Sequence, residues 1–589
     1  MNELTNPLPR TSPELLAACR GDTPCDIAFT GAFVFNAFTR SFEPVDIGVK
    51  GGRVARLADR GQIKAERTVE CDHRWIVPGF IDAHMHVEST MLPPSQFVRL
   101  AAPHGTTGAV FDPHEIANVL GAKGIRWIIE DSKGMPIHAM WGVSSCVPSA
   151  PLENAGAELT AADLRALFDD PEFASHFVAL AEMMNYPGVV YADQGVLEKV
   201  ALGLERRIVD GHAPGLTGAN LQAYVAAGIS SDHECTTLEE AQEKLALGQR
   251  IFIREGSAAR NLDALVGVIT PENAHRVCFC TDDRHPDDLL KHGHIDHVVR
   301  RAIALGLRTE LAFAIASLHA AEHYRQPDIG AIAPGRFADL LVLSSRDEVD
   351  IEQTWFRGEL VAEHGEYRGP SGESSSPPVA PVRLPDDLNA DSFEVRLEPV
   401  PQRIRVIGMH PDQLVTDDLV GPPTVREGAL VADPEADLLK LAVIERHRGT
   451  GNIGLGFVTG FRFRGGAIAS TVGHDAHNLA VVGDNDEDMF LAARTLADCG
   501  GGQCVVSGGE VRAVLPLPIA GLMSDQPAEA VIEQQAELLN AAAALGYPHH
   551  DPFMPLSFLP LPVIPNLKLT DLGLVDVNQF KVVPLGIEN

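Results

Sequence analysis

Apolar and polar positions change rhythm along the chain, and each change marks an architectural unit. Residues 24–77 alternate apolar and polar side chains: DIAFTGAFVFN, then DIGVKGGRVARLA around a Gly-Gly turn, then the run to CDHRWIVPGF. This period of two, broken by turn residues, predicts short strands and a hairpin. The same rhythm returns in ADLLVLSS (338–345) and TWFRGELVAE (354–363). Neither patch is large enough to stand alone, so residues 24–77 and 331–364 are expected to form one small β-sandwich module. Between 78 and 330 lie eight near-continuous apolar runs, most separated by helix-like stretches: WIVPGFIDAHMH, TTGAVFDPHE, IHAMWGVSSCVP, FVALAEMMN, RIVDGHAPG, GISSDHE, RIFIREGS and RVCFCTDD. Strands apolar on both faces and alternating with helices predict a parallel sheet, and their number and spacing predict an α/β fold with a (β/α)8 TIM-like barrel.

GEYRGPSGESSSPPVAPVRLPDD (365–387) is rich in Gly, Ser and Pro and reads as an exposed, poorly structured linker. Residues 388–589 form a further α+β unit, with a predicted helix from Asp486 to Cys499 closed by Gly500-Gly501. A hairpin, QCVVSGGEVRAVL, turns at Gly508-Gly509.

The ends of the eight runs carry the chemistry. The first ends in His84 and His86, and the second in Asp112, His114 and Glu115. The fourth ends in Glu182, the fifth in His212, the sixth in Asp232, His233 and Glu234, and the eighth in Asp282 and Asp283. Barrel sites sit at C-terminal strand ends, where such side chains converge. Residues i and i+2 of a strand share a face, so His84 and His86 point the same way. Imidazoles with carboxylates make a ligand set suited to Zn, Mn or Fe. Glu182 lies within an apolar run, where an unpaired carboxylate is costly and a cation is its economical partner. One of Asp282 and Asp283 is expected to face the site while the other caps the following helix. His474, Asp475, His477 and Asn478 share one loop of the last unit, which is expected to pack over the barrel mouth. The spacing alone reaches a binuclear metal hydrolase on a barrel.

Composition narrows the partners. The 589 residues are 45% hydrophobic and 22% charged, ordinary for a globular protein. Forty-seven basic against eighty acidic residues leave a formal charge of −33, which repels nucleic acid and anionic membranes. The start, MNELTNPLPRTSPELLAACRGD, lacks the pattern of a secretory signal, and no apolar run approaches the ~20 residues of a membrane helix. Nine cysteines without a CxxC pair read as reduced thiols of a cytoplasmic protein. His86-Val87-Glu88 matches the first half of the cytidine-type deaminase signature, but no PCxxC follows. Cys278 and Cys280 alternate with Phe279 and read as core.

PGFIDAHMH, GHAPGL, SDHE and TDD together resemble the amidohydrolase superfamily and, within it, the adenine deaminases. FDPHEIANV, SSCVPS, AEMMNYPGV, FIREGSAARNL, TDDRHPDDLL, HIDHVVR and GAIASTVGHDAHNLAVVG extend the likeness from about residue 24 to the end. Many amidohydrolases bridge two metals with a carboxylated lysine. No lysine ends the fourth or fifth run here, and Glu182 replaces it, as in the adenine deaminases. The resemblance implies two divalent ions per chain, Mn2+ or Fe2+ or alternatively Zn2+. One would be held by His84, His86 and Asp282, the other by His212 and His233, with Glu182 bridging. It implies hydrolysis of adenine to hypoxanthine and ammonia, through hydroxide attack on C6. Asp282 would carry the proton, and Glu115 would meet a ring nitrogen. Cys146, Glu255, Asp283 and His477 join Glu115 as implied substrate contacts, and a homodimer is implied as well. The alternatives are a related enzyme acting on another aminopurine or cyclic amide, and a barrel scaffold without chemistry.

Overall fold

The computed structural model describes residues 6–257, 259–372, 376–411 and 413–587. The first five residues, Ala258 of the FIREGSAARNL block, residues 373–375 of the expected linker and the last two residues lie outside them.

Eight parallel strands form the barrel: β1 (Phe80–His86), β2 (Thr106–Phe111), β3 (His138–Val143), β4 (Phe177–Met183), β5 (Ile208–Gly211), β6 (Ser231–Asp232), β7 (Arg250–Arg254) and β8 (Val277–Cys280). β1, β2, β4 and β8 are buried along their whole length, as strands covered on both faces must be. β1 to β5 pair in sequence, as do β6 to β8. A bridge from Val209 to Ile229 joins the two arcs. On the other side Asp282-Asp283 pairs in parallel with Met85-His86 of β1. That pairing closes the ring and lays both aspartates beside the first histidine pair.

The expected first run, WIVPGFIDAHMH, is two strands rather than one. Trp75–Pro78 belongs to a seven-stranded sheet outside the barrel, antiparallel to Leu340–Ser345 with Pro78 opposite Leu340. The break falls at Gly79, where a Cβ would lie 2.0 Å from Thr107 Oγ1. Only glycine lets the chain turn this tightly against β2. The same sheet takes Phe33–Asn36 and Ser41–Glu43 from before the barrel, and Asp350–Phe356, Glu359–Glu363 and Glu366–Tyr367 from after it. Segments far apart in sequence therefore share one sheet, as their matching rhythm predicts. A four-stranded sheet built from Cys25–Thr30, Val45–Lys50, Arg53–Asp59 and Ala65–Glu70 packs with it. Phe29, Ile47, Ile76, Leu340 and Trp355 fill the core between them. Phe313, from the barrel helix Thr309–Ala314, meets Phe35, Phe42 and Phe80, anchoring these strands to the barrel.

The linker is less free than its composition predicts. Among the described residues no helix or strand spans 368–387, but Val382 and Leu384 pack against the C-terminal core. Arg383 N–H also donates to the Arg446 carbonyl at 2.9 Å. The C-terminal unit is built on one large, mainly antiparallel sheet. Its helix runs from Asp486 to Asp498, with Asn485 Oδ1 accepting the Asp488 N–H at 2.8 Å. The predicted hairpin joins Gly502–Ser507 to Glu510–Pro516. Gly508 and Gly509 take φ of 62° and 76°, as a tight two-residue turn requires. The Asp488 carboxylate accepts both turn N–H groups, at 3.1 and 2.7 Å, tying helix to hairpin.

This unit sits on the barrel mouth. The Asp571 carboxylate accepts the Asn154 N–H at 3.0 Å and its Nδ2 at 2.6 Å. Thr570 Oγ1 donates to the Leu152 carbonyl at 2.7 Å, and Met91 and Leu92, which follow β1, join the C-terminal core. No helix among the described residues is long and apolar enough to cross a membrane.

Lys568 is fully buried, and its ammonium donates to the carbonyls of Leu414 (2.9 Å) and Phe558 (3.0 Å). Burial pushes its pKa down to about 7. An unfolded Lys titrates near 10.4, so between about pH 7 and that value the unfolded chain binds more protons, and stability rises with pH. The Lys568→Met variant lacks this term. In thermal melts, the wild-type midpoint should therefore gain more than the variant's between pH 7 and 9.5. Parallel curves would show that burial does not depress the Lys568 pKa.

Candidate metal centre

Glu182, at the end of β4, is the hub of the mouth. Its Oε2 lies 2.8 Å from His212 Nδ1 and 3.2 Å from His233 Nε2, and its Oε1 lies 3.1 Å from His114 Nδ1 and 3.3 Å from His86 Nε2. Asp282 Oδ1 completes the other side, 3.1 Å from His86 Nε2 and 3.4 Å from His84 Nε2. Arg254, which ends β7, contacts Asp282 Oδ2 and pairs with Glu234, its Nη2 2.9 Å from Oε2. His86 Nδ1 faces the Asp112 carbonyl at 3.0 Å, which fixes the ring so that Nε2 points inward. Asp282 has a φ of 58°, in the left-handed region. Such local strain gathers at functional sites.

The electrostatics follow from crowding charges out of water. Burial alone would push the Glu182 carboxyl up, but His114, His212 and His233 hold it well below the usual carboxylate range. Burial also opposes ionisation of Asp282, yet Arg254, His84 and His86 hold its carboxyl far down. The imidazoles respond in kind. Burial pushes them towards neutrality, but facing carboxylates lift His86 and His114 well above their ordinary value, and His212 to about 9.

The donor set fits divalent cations. His84, His86 and Asp282 each offer an atom within 4.8 Å of the others, and so do His84, Glu182 and His233. His84 Nε2 and both His114 ring nitrogens are buried without a hydrogen-bond partner. A cation between these groups would satisfy the orphaned nitrogens and replace the protons that the carboxylates now hold on the imidazoles.

The C-terminal unit adds a second layer. His474 Nδ1 lies 2.8 Å from Glu115 Oε1, and His477 Nε2 donates to Glu115 Oε2. His477 Nδ1 accepts the Gly473 N–H at 3.2 Å, so its proton sits on Nε2. Asp475 Oδ1 stands 3.6 Å from His114 Nε2, and Phe558 stacks on His474 with ring centres 4.4 Å apart. Burial would raise the Glu115 carboxyl, but His474, His114 and His477 keep it well below its ordinary range.

The six residues that the resemblance assigns to metal therefore converge, and Glu115 faces the same chamber. Others differ from expectation. His477 does not line the chamber but stands behind Glu115. Glu255 turns to Arg301 Nε (3.5 Å) and the Leu262 N–H (3.3 Å), and Cys146 packs against Met183, so neither reaches the chamber. Asp283 does line it and accepts from Ser89 Oγ at 2.5 Å. Neither aspartate caps the next helix, Pro286–His292, whose N-cap position is His285. Ring closure through β1 occupies both. His114 and Arg254 stand in the site without a role read from sequence. His114 carried a signal as the second of three polar residues ending its run. Arg254 carried none, because a lone arginine ending a strand is usually solvated.

Residues 75–361 match the amidohydrolase family, and residues 413–581 match the adenine deaminase C-terminal domain. An adenine deaminase of Desulfatibacillum aliphaticivorans is 47% identical over 575 residues, covering 97% of this chain and 99% of the relative. Adenine deaminases of Nitratidesulfovibrio vulgaris and Methanothrix thermoacetophila are each 44% identical, covering 98% of this chain and 99% of each relative. The chain belongs to the adenine deaminase family. Family membership brings a divalent metal centre with it, and the buried histidine and carboxylate groups of the barrel mouth have the chemistry to hold one.

Two outcomes follow from the charge balance. Loading metal-free protein with Mn2+ at pH 7 should release protons, and the release should shrink as pH rises past about 9, where His212 is already neutral. Calorimetry in buffers of different ionisation enthalpy reads this, and a buffer-independent heat would contradict it. Glu182→Gln should lower the metal bound per chain, since its carboxylate lies at the hub of the candidate donor groups. Unchanged metal content would remove Glu182 from the centre.

Proposed function

We propose that the chain hydrolyses adenine to hypoxanthine and ammonia, and that the barrel mouth is where it does so. The observation that carries this reading is the match, over nearly the whole chain, to relatives named adenine deaminase. It is joined to a closed cluster of buried histidines and carboxylates. Dividing the chain into a β-sandwich module (24–77 and 331–364), a barrel (78–330), a linker (365–387) and a C-terminal domain (388–589) accompanies the proposal.

In this reading His84, His86 and Asp282 would hold one divalent ion, His212 and His233 the other, and Glu182 would serve both. Mn2+ and Fe2+ suit these donors, and so does Zn2+. When bound, such ions supply Lewis acidity and lower the pKa of a coordinated water. The chain's own residues do the rest. Asp282 takes the proton of the attacking water as its oxygen bonds to C6, and Arg254 keeps that carboxylate ionised until then. Glu115 meets a ring nitrogen and relays to it a proton from His474, whose imidazole the Glu115 carboxylate lifts to about 9. Asp282 then returns its proton to the amine as the C6–N bond breaks, and the C6 hydroxyl gives its proton back through Glu115 to His474, so ammonia leaves and hypoxanthine remains. His474 and His477 position Glu115 without touching the base. The roof that the C-terminal unit lays over the mouth excludes bulk water, which strengthens each of these charges.

Metal-loaded protein given adenine should release ammonia and hypoxanthine in equal amounts. No turnover of adenine alongside turnover of another heterocycle would overturn the substrate. Glu115→Gln should lower kcat by about 10²–10⁴-fold, the range for a lost proton-transfer group, with metal content unchanged. Full activity would remove Glu115 from the chemistry.

A further inference from the structure

The chamber beside the candidate ligands has a volume of about 30 Å³, room for about two water molecules. A purine of ten heavy atoms needs far more. Next to it lies a cavity of about 900 Å³ between barrel and C-terminal unit. Both spaces are lined by Glu234, Arg254, Leu414, Val563 and Ile564, which therefore form the wall between them.

The two sides of that wall differ. Glu234 and Arg254 come from the barrel, are buried, and pin each other through the guanidinium, which also holds Asp282. That side is fixed. Leu414, Val563 and Ile564 come from the C-terminal unit and belong to a small apolar cluster with Phe558 and Leu561, separate from the larger cores. Apolar contacts have no fixed geometry to break, so this side can yield. Its segments are joined to each other. Thr416 N–H donates to the Pro565 carbonyl at 3.0 Å, and Lys568 bridges the carbonyls of Leu414 and Phe558. The cluster can thus move as one piece.

The geometry points to Leu414, Val563 and Ile564 as the residues that set substrate size. They form a yielding apolar wall that accepts the free base and refuses one substituted at N9. The inference rests on the proposed attack at C6. With C6 turned to the metals, the opposite edge of a purine, N3 and N9, faces away from them and against this wall. A hydrogen at N9 fits there, whereas an alkyl or ribosyl group meets Val563 and Ile564. The large cavity beyond is then the entrance, and a substituent could extend into it only if the wall were cut back.

The test compares kcat/KM for adenine and 9-ethyladenine in metal-loaded full-length protein: wild type, Val563→Ala/Ile564→Ala, and Leu414→Ala. In a trimmed variant the 9-ethyladenine to adenine ratio should rise by at least about tenfold, the scale on which removing one or two methylenes from a pocket acts. Leu414→Ala lies on a different segment and is read on its own if the double variant loses its metal or its fold. A ratio within about twofold of wild type in every folded variant overturns the assignment. If wild type deaminates no adenine, the proposed function fails instead, so the two failures are distinguishable.

Discussion

Burying several carboxylates and imidazoles at one point, away from water, is the constraint on which the rest of the structure depends. Glu182 cannot leave water at the centre of a barrel unless something positive meets both of its oxygens. Four histidines do so, His86 ending β1, His212 and His233 just after β5 and β6, and His114 starting the helix after β2. Each owes its position to a strand that must also be buried on both faces. The apolar runs, the parallel ring and the closing pair Asp282–Met85 serve a single end, delivering polar side chains to the dry end of a packed sheet. Those carboxylates raise the His86, His114 and His212 imidazoles above their ordinary pKa. A site that must otherwise carry extra protons is one that a divalent ion can enter by exchange rather than by rearrangement.

The C-terminal unit extends the same logic. It brings His474, Asp475 and His477 down onto Glu115 and His114, so one layer of charge is stabilised by the next. It also supplies the apolar roof of Phe558, Leu561 and Ile564. Polar groups below and hydrocarbon above is the arrangement that makes electrostatics strong and leaves access to be governed by packing. Lys568, buried and bonded to the Leu414 and Phe558 carbonyls, holds the roof's two segments together at the cost of a depressed pKa.

Most of this was legible from sequence where periodicity and strand ends coincide. The His84/His86 pair, Glu182, His212, His233 and Asp282 stand at the ends of apolar runs, and the fold brings them together. The helix from Asp486 and the Gly508-Gly509 hairpin were equally visible, because capping and turn chemistry are local. What was hidden depends on long-range geometry. The break at Gly79 inside one apolar run is set by Thr107, a contact no local pattern encodes. Val382 and Leu384 pack although their segment is Pro- and Ser-rich. Ring closure by Asp282 and Asp283 displaced the expected helix cap. Glu255 and His477, named through likeness to a family, turn out to face Arg301 and Glu115. A motif can point to a neighbourhood without saying which side chain enters the cavity.

Under the proposed function, Glu182 would lie between two cations. Anomalous scattering from crystals of the Mn2+-loaded protein tests it most directly. Two peaks flanking the Glu182 carboxylate are expected, one beside His84, His86 and Asp282, the other beside His212 and His233. A single peak, or one centred among His114, Glu115 and Asp475 instead, would contradict it.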